Sequence, residues 1–579
     1  MCIKEQKRKQ MKNYKFYINK YYLITGLVLM IFTSCNDEIL KETPLDFLAP
    51  EVAYTSVEGI QQGINGLHTQ VRANYYYGYN DTQTQMYGLG TDLAFMGEDP
   101  SSTRWLNDYP VFLRPDNPWS SWAWNNEYNQ IQRANVLIKS IEESSDEIWE
   151  SEAQKNALMA EAMFFRAFSY RILTTFYGDV PLVKEPVNSA KTDFVRAPKE
   201  EVYDLMKDDL LFGTVNLPEP GEEKAPGRIT QGAAWTILSE LYITMGENQL
   251  AVDAASQVID GYNYQLMTQR FGTKLGNDIF GSGDVYFDLF GFGNHNLTEN
   301  TEAIWVIQIE PLITGGGTNT GERAWGPAYF RLGNTPDGFP GIRGEFVNGI
   351  YTGYSDTLGR SVGWFCPTNY LKYDIWQSDW DNDIRNAEHN IKRNFYYDNP
   401  NSQYHGKKID FSLYPAGSRD SQKDTCSYIF PYWMKFADPL NHFTDEARSG
   451  GGNNHKDIYA LRLPETILLR AEAYLNLGER ELAAADINII RNRANATPVT
   501  PAEVDIDYIL DERARELYGE EFRNMTLRRV GKLVERTKEF NNNPKIPGAN
   551  IQEHHILYPI PQAAIDLNIN ATIEQNPGY

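Results

Sequence analysis

One helical hairpin occurs twice in this chain, and the repetition narrows the folds open to it. Thr236–Ala255 (TILSELYITMGENQLAVDAA) aligns without a gap onto Leu468–Ile487 (LLRAEAYLNLGERELAAADI). Glu240, Tyr242, Gly246, Glu247, Leu250 and Ala251 match Glu472, Tyr474, Gly478, Glu479, Leu482 and Ala483. In the second copy, Pro464 suits a first helical turn, where a missing N–H costs nothing. Leu468, Ala471 and Leu475 share one helix face. Gly478 stands where a helix end takes the left-handed conformation. Leu482, Ala485, Ile489 and Ala494 then open a second apolar stripe. So tight a link makes the helices antiparallel neighbours. A helix–Gly turn–helix unit of about 34 residues is similar to a tetratricopeptide repeat. Such a unit cannot bury its face alone and must stack on others. The copies lie far apart, so something long and different loops out between them.

More helices flank the first copy. Tyr54–Asn74 carries the stripe Ile60, Ile64, Leu67 and Val71, and Trp119–Glu142 carries Tyr128, Ile131, Asn135, Ile138 and Glu142. Asn156 onward is helical until Gly178 stops it, and Asp179-Val-Pro181 exits extended. Lys199–Phe212 follows, then the solvated linker Glu219–Arg228. From Gly261 to Asn454 the helical period is lost, with Ile304–Glu310 the one clear strand. That is too long for a loop and predicts a folded irregular lobe or a set of binding loops. Beyond the second copy, Ile506–Tyr518 and Arg523–Val534 are two further helices.

The N-terminus reads as an export signal. Lys4, Lys7, Arg8, Lys9, Lys12, Lys15 and Lys20 precede the apolar run Tyr21–Thr33, which is too short to span a bilayer. Met11 offers an alternative start. Ser34 before Cys35 resembles a lipobox, with Phe32 in place of the usual Leu. Cys35 is therefore the candidate lipidated residue, and Asn36–Pro44 an acidic tether. Two acyl chains suffice for a stable anchor. The full chain carries a formal charge of −23, which argues against nucleic acid as a partner. Cys366 and Cys426 are the other mature cysteines; export permits a disulfide between them without requiring one.

Sequence motifs for catalysis are absent: there is no Gly-x-Ser-x-Gly elbow, no His-Glu-x-x-His and no phosphate loop. Asp379, Asp381 and Asp383 imitate a calcium loop, but Ile384 and Asn390 occupy the positions that need Gly and Glu. They are expected to form a solvated acidic loop. No cofactor and no metal is indicated, although a structural calcium ion outside such a motif stays open. His554 and His555 would face opposite ways if extended, so both do not ligate one ion. What stands out is aromatic content, 13% with 36 Tyr and 12 Trp, interleaved in the irregular region with Asn, Asp, Gly and Arg. A flat ring covers the apolar face of a sugar, and amides, carboxylates and guanidinium groups pair with its hydroxyls. Any single Trp here is more simply read as core; the group together predicts one exposed platform.

These parts resemble one family. The lipobox at Cys35, Ala160–Val183 (AEAMFFRAFSYRILTTFYGDVPLV), Gly227–Ile243, Leu461–Gly478, Ile487–Ala494, Glu512–Leu533 and the terminal Ile560–Tyr579 with its closing Gln-Asn-Pro-Gly-Tyr are similar, in order, to the SusD/RagB family of Bacteroidetes surface lipoproteins. The resemblance implies a mainly α fold, a bundle of tetratricopeptide-like helix pairs with a large loop-rich region of few short strands packed on it. Residues 1–34 would be the signal peptide and 35–579 a single domain. Within it, 35–260 is the helical N-terminal half, 261–454 the irregular ligand-binding region and 455–579 the C-terminal helix pairs and tail. It implies a protein lipid-anchored on the outer face of the outer membrane, which captures oligosaccharide or polysaccharide for a SusC-like TonB-dependent transporter and is not an enzyme. Capture of a non-glycan nutrient such as peptides, a transporter lid with no ligand of its own, and a surface glycoside hydrolase are the competing readings. Family binding residues vary with the ligand, so candidates rest on type and placement: Trp105 and Asn107 from the first irregular stretch, and Trp325, Tyr329 and Trp364 from the second.

Overall fold

Short polar side chains open several of the helices and glycines close them. Ser56, Ser151 and Asp505 accept hydrogen bonds from the backbone of Gly59, Gln154 and Tyr508, satisfying N–H groups that a first turn leaves unpaired. Gly178, Gly246 and Gly478, with φ of 72°, 82° and 81°, follow three helix ends in a conformation other residues resist. The computed structural model describes residues 50–76, 85–103, 105–272, 283–342, 346–347, 350–351, 355, 358–414, 424–438, 441 and 453–579. The leader and Cys35 lie outside the described residues. Of the unit Met1–Ala53, the described part is one helical turn, Pro50–Ala53. The remaining described residues all belong to the unit Tyr54–Tyr579.

The elements that carry the architecture of this second unit are α1 (Val57–Tyr75), β1 (Ala94–Met96), α2 (Trp122–Glu142), α3 (Glu152–Tyr177), α4 (Lys199–Asn216), α5 (Gln231–Met245), α6 (Asn248–Ile259), β2 (Ala303–Ile307), β3 (Phe365–Pro367), β4 (Ile458–Arg462), α7 (Leu463–Asn476), α8 (Arg480–Arg493), α9 (Ile506–Leu517), α10 (Arg523–Arg529) and α11 (Leu533–Phe540). The fold is mainly α. Each helix from α2 to α8 packs on the next, so α7 lies directly against α6 although just over two hundred residues separate them. The two copies of the hairpin are thus stacked neighbours. A buried hydrogen bond of 2.9 Å joins Thr236 and Thr466 across them. Arg470 pairs with Asp486 in its own hairpin and Asp260 after the other, both at 2.7 Å.

The long insertion leaves and rejoins the stack at one place. β2 and β4 pair antiparallel from Ala303–Arg462 to Ile307–Ile458, and Trp305 packs edge-on against Phe164 and Phe168 of α3. The described part of the insertion is short strands, short helices and turns. Its seam with the stack is ionic. Arg385 pairs with Asp383, Glu512 and Glu516; Glu516 also holds Arg462 and Arg493, and Glu512 holds Arg491 and Arg515.

Several sequence expectations change. In α8 the buried residues include Ala483, Ala484, Ile487 and Ile490, whereas Leu482 and Ile489 are 46% and 41% exposed. The helix is turned by one position because Asp486 faces inward to meet Arg470. Glu142 is exposed, outside the buried face of α2. The helix expected over Arg523–Val534 breaks in two at Gly531, whose φ is 71°. Asp379 and Asp383 are buried, not solvated, because Arg491 and Arg385 pair with them. His554 and His555 sit in a 3-10 turn with ring centroids 4.0 Å apart, not on opposite sides of a strand.

Candidate functional site

The first irregular stretch and the insertion meet in a two-stranded sheet, and the candidate residues gather around it. β1 pairs antiparallel with β3, Phe95 opposite Cys366. The pairing continues one step further, where Gly97 donates its N–H to the Trp364 carbonyl at 2.9 Å. Only glycine fits at 97: a Cβ would sit 2.0 Å from the Cys426 carbonyl oxygen and 2.7 Å from Cys366 Cβ. The close approach places Glu98 beside Trp364. Cys366 and Cys426 are thiols and form no disulfide. Burial pushes the Cys366 thiol well up, which removes it as a nucleophile.

Trp364 is half-buried. Its indole Nε1 donates to Glu98 Oε2 at 3.1 Å, the Arg323 guanidinium lies 5.2 Å from its ring centroid, and Trp105 meets it edge-on at 5.0 Å. Glu98 Oε1 accepts from Arg331 Nη1 at 2.8 Å. Arg331 and Arg360 both lie against the half-buried Phe330 ring, at 5.5 and 4.4 Å. The result is two aromatic rings rimmed by three guanidinium groups and one carboxylate, in a chain whose overall charge is strongly negative. Cation–π contacts and the Glu98 bridge fix the rings before any ligand arrives. Such a surface offers apolar faces for stacking and fixed donors and acceptors for hydroxyl groups.

The five candidates all fall in this neighbourhood but in different roles. Trp364 is the one that reaches the surface. Trp105 is buried behind it, in a left-handed conformation with φ of 58°. Asn107 is buried too; it accepts from Met96 N–H at 3.0 Å and donates to the Pro100 carbonyl at 3.1 Å, so it shapes the loop that carries Glu98. Trp325 is core, stacked between Phe365 and Phe436 at 4.0 and 4.6 Å. Tyr329 is core as well, its hydroxyl donating to the Gly359 carbonyl. An exposed platform built on Trp325 and Tyr329 is therefore excluded by their burial. Sequence reasoning passes over Glu98, Arg323, Phe330, Arg331 and Arg360. The run Tyr329-Phe330-Arg331 carries the aromatic–arginine alternation, but nothing in it tells which ring faces out.

The chain has clear relatives. A family model described as "SusD family" matches residues 301–579, and one described as "Starch-binding associating with outer membrane" matches 54–243. Two proteins of Formosa agariphila, SusD-like protein P25 and SusD-like protein P2, are 25% and 26% identical. The alignments cover 93% of this chain and 96% of P25, and 97% of this chain and all of P2. Among solved structures, a laminarin-binding SusD-like protein superposes with a TM-score of 0.62 at 21% identity, over 91% of this chain and 100% of that one. A SusD homologue of Bacteroides thetaiotaomicron gives 0.65 at 19% identity over 91% and 97%. Surface glycan-binding protein A of the same organism, in complex with laminarihexaose, gives 0.61 at 17% identity over 90% and 100%.

Proposed function

Because this chain belongs to the SusD/RagB family, we propose that it is a glycan-binding protein of the cell surface, not an enzyme, and that Trp364 is the centre of its binding surface. The observation that carries the reading is the half-buried Trp364 indole, held by Glu98 and Arg323 beside the Phe330–Arg360 pair. A pyranose ring stacks on a fixed indole without requiring the site to reorganise, and the flanking charged groups replace the water lost from its hydroxyls. Two solved relatives bear names of the same chemistry, one laminarin-binding and one seen with laminarihexaose.

In this reading Cys35 carries the lipid that holds the chain at the outer membrane, and the chain hands its glycan to a SusC-like TonB-dependent transporter. No helix among the described residues is long and apolar enough to cross a membrane; the lipid supplies the attachment. The mature chain from Cys35 onward, made soluble by Cys35→Ser, is to be run through native gels containing laminarin, starch, xylan, mannan and host glycosaminoglycans. Retardation by at least one polysaccharide is expected. Unretarded migration in every gel, together with no transporter recovered alongside the tagged chain from outer membranes, overturns the reading.

A further inference from the structure

A second aromatic surface, built from residues none of which surrounds Trp364, lies on the turn after β3. Tyr373 and Trp380 are 46% and 39% exposed, whereas Trp376 between them is fully buried and donates its indole N–H to the Leu371 carbonyl at 2.9 Å. The two exposed rings are within 22° of parallel, with centroids 6.4 Å apart. That spacing is too long for one ring to cover the other, so both keep apolar area open to water.

The turn is held from beneath. Asp379, next to Trp380, is buried; it accepts from the Thr497 N–H at 2.9 Å and the Thr497 hydroxyl at 2.6 Å, and it pairs with Arg491 of α8. The Trp380 carbonyl accepts from Asn386 Nδ2 at 2.7 Å. The Arg393 guanidinium lies 4.5 Å from the Trp380 centroid and 5.9 Å from that of Tyr373, with the Lys372 ammonium 5.9 Å from Tyr373. Exposed rings on a mobile turn would be ordinary. Exposed rings clamped from below and flanked by cations are preorganised, which is what weak ligands need.

We propose that the Tyr373–Trp380 surface is a second saccharide site, taking pyranose rings of the same polymer that binds at Trp364; the inference rests on the glycan reading above. The surroundings choose the class. Asp374, Gln377, Ser378, Asp381 and Asn382, the chain neighbours of the two rings, are all exposed, so the turn that carries the apolar rings is otherwise polar on its exposed side. A protein partner needs a broad buried patch, while a sugar needs a small flat face rimmed by hydroxyl partners. Two such sites on one chain would strengthen polymer binding through linkage of the second contact to the first.

The test uses the mature chain labelled with 5-fluorotryptophan. The Trp364 and Trp380 resonances are assigned from Trp364→Phe and Trp380→Phe, and the probes are hexasaccharides of laminarin, starch, xylan, mannan and host glycosaminoglycans, the same panel as in the gels. The expected result is a saccharide-dependent shift of the Trp380 resonance that persists in Trp364→Ala and is lost in Tyr373→Ala, with thermal unfolding of each variant as the control for folding. If Trp364 shifts and Trp380 does not, the second site is wrong and the glycan reading stands. If neither shifts with any probe, both are wrong. A Trp380 shift that follows protein concentration alone assigns the surface to self-association and overturns the proposal.

Discussion

Arg385 Nη1 lies 2.8 Å from Glu512 Oε1, and both side chains are fully buried. Arg385 belongs to the insertion and Glu512 to α9, so this pair fastens the lobe that carries both aromatic surfaces to the helix stack. Arg385 also holds Asp383 and Glu516, and Glu516 reaches Arg462 and Arg493. Burying so many charges offers little net stability over an apolar seam, but removing one partner strands the others without water. Arg385→Ala is expected to destabilise the protein by about 3–5 kcal/mol, read as a fall of the denaturant midpoint. Lys139→Ala, which breaks an exposed pair with Glu185, should leave the midpoint unchanged.

Acid should open the same seam. Burial alone would raise Glu512, but the charges of Arg385, Arg515 and Arg491 overcome it and hold its carboxyl down to about 2. Asp92, buried against Arg523 and Arg536, is likewise held to about 2. Folded values below the unfolded ones mean that the unfolded chain binds protons first, so the stability these two carboxylates contribute is complete above roughly pH 5 and is lost as pH falls toward 2. The melting temperature, followed from pH 5 down to pH 3, is expected to drop. A curve with no fall below pH 4.5 would contradict the assignment of these pairs.

Glu127 of α2 has the opposite sign. It is buried with no cation against it among the described residues, accepts from the Tyr75 hydroxyl, and burial pushes its carboxyl up to about 8. The folded state therefore holds its proton across pH 5 to 8, and stability falls as pH rises through that window. Glu127→Gln keeps the shape and the acceptor for Tyr75. It should raise the melting temperature at pH 8.5 by several degrees and change little at pH 5.

Gly97→Ala should damage the site without touching a ligand. Its Cβ would meet two backbone oxygens and Cys366 at 2.0 to 2.8 Å, which forces β1 and β3 apart and moves Glu98 off Trp364. Loss of glycan retardation with only a modest loss of stability is the expected pattern. Gly478→Ala is the control. Its φ is left-handed but nothing lies within 4 Å of the new Cβ, so the cost is local strain of about 1 kcal/mol.

Cys35→Ala should release the chain from the membrane fraction into the periplasm. Surface labelling that still finds the variant outside and membrane-bound would disprove the lipid anchor.

Much of the helix stack is legible in the sequence because its signals are local. Gly178, Gly246 and Gly478 fix helix ends through their own backbone, and the repeated Glu-x-Tyr-x-x-x-Gly-Glu pattern announces two hairpins that must stack. The α8 face misleads because Leu482 and Ile489 look like core, and only contact with Arg470 explains why Asp486 is buried instead. The site is less legible for the same reason. Trp325, Trp364 and Trp380 are chemically identical, and their fates differ because Phe365 and Phe436 close over the first, Glu98 and Arg323 grip the second, and only Tyr373 and cations flank the third. The neighbours of Trp325 and Trp364 come from segments far apart in the chain, whereas those of Trp380 lie within the same turn region. Asp379 and Asp383 likewise read as a solvated acidic loop; Arg491 reaches Asp379 from α8, and Arg385, two residues after Asp383, is drawn inward with it by Glu512 and Glu516.

Calorimetric titration of the best-retarding glycan into wild-type protein and into Trp364→Ala, with the two melting temperatures matched, addresses the Trp364 surface most directly. Binding that falls at least tenfold, a change of about 1.4 kcal/mol, in a variant that melts as the wild type does, is the result expected. Equal affinity in the two proteins would mean that the ligand sits elsewhere and that Trp364 is one more ring of the core.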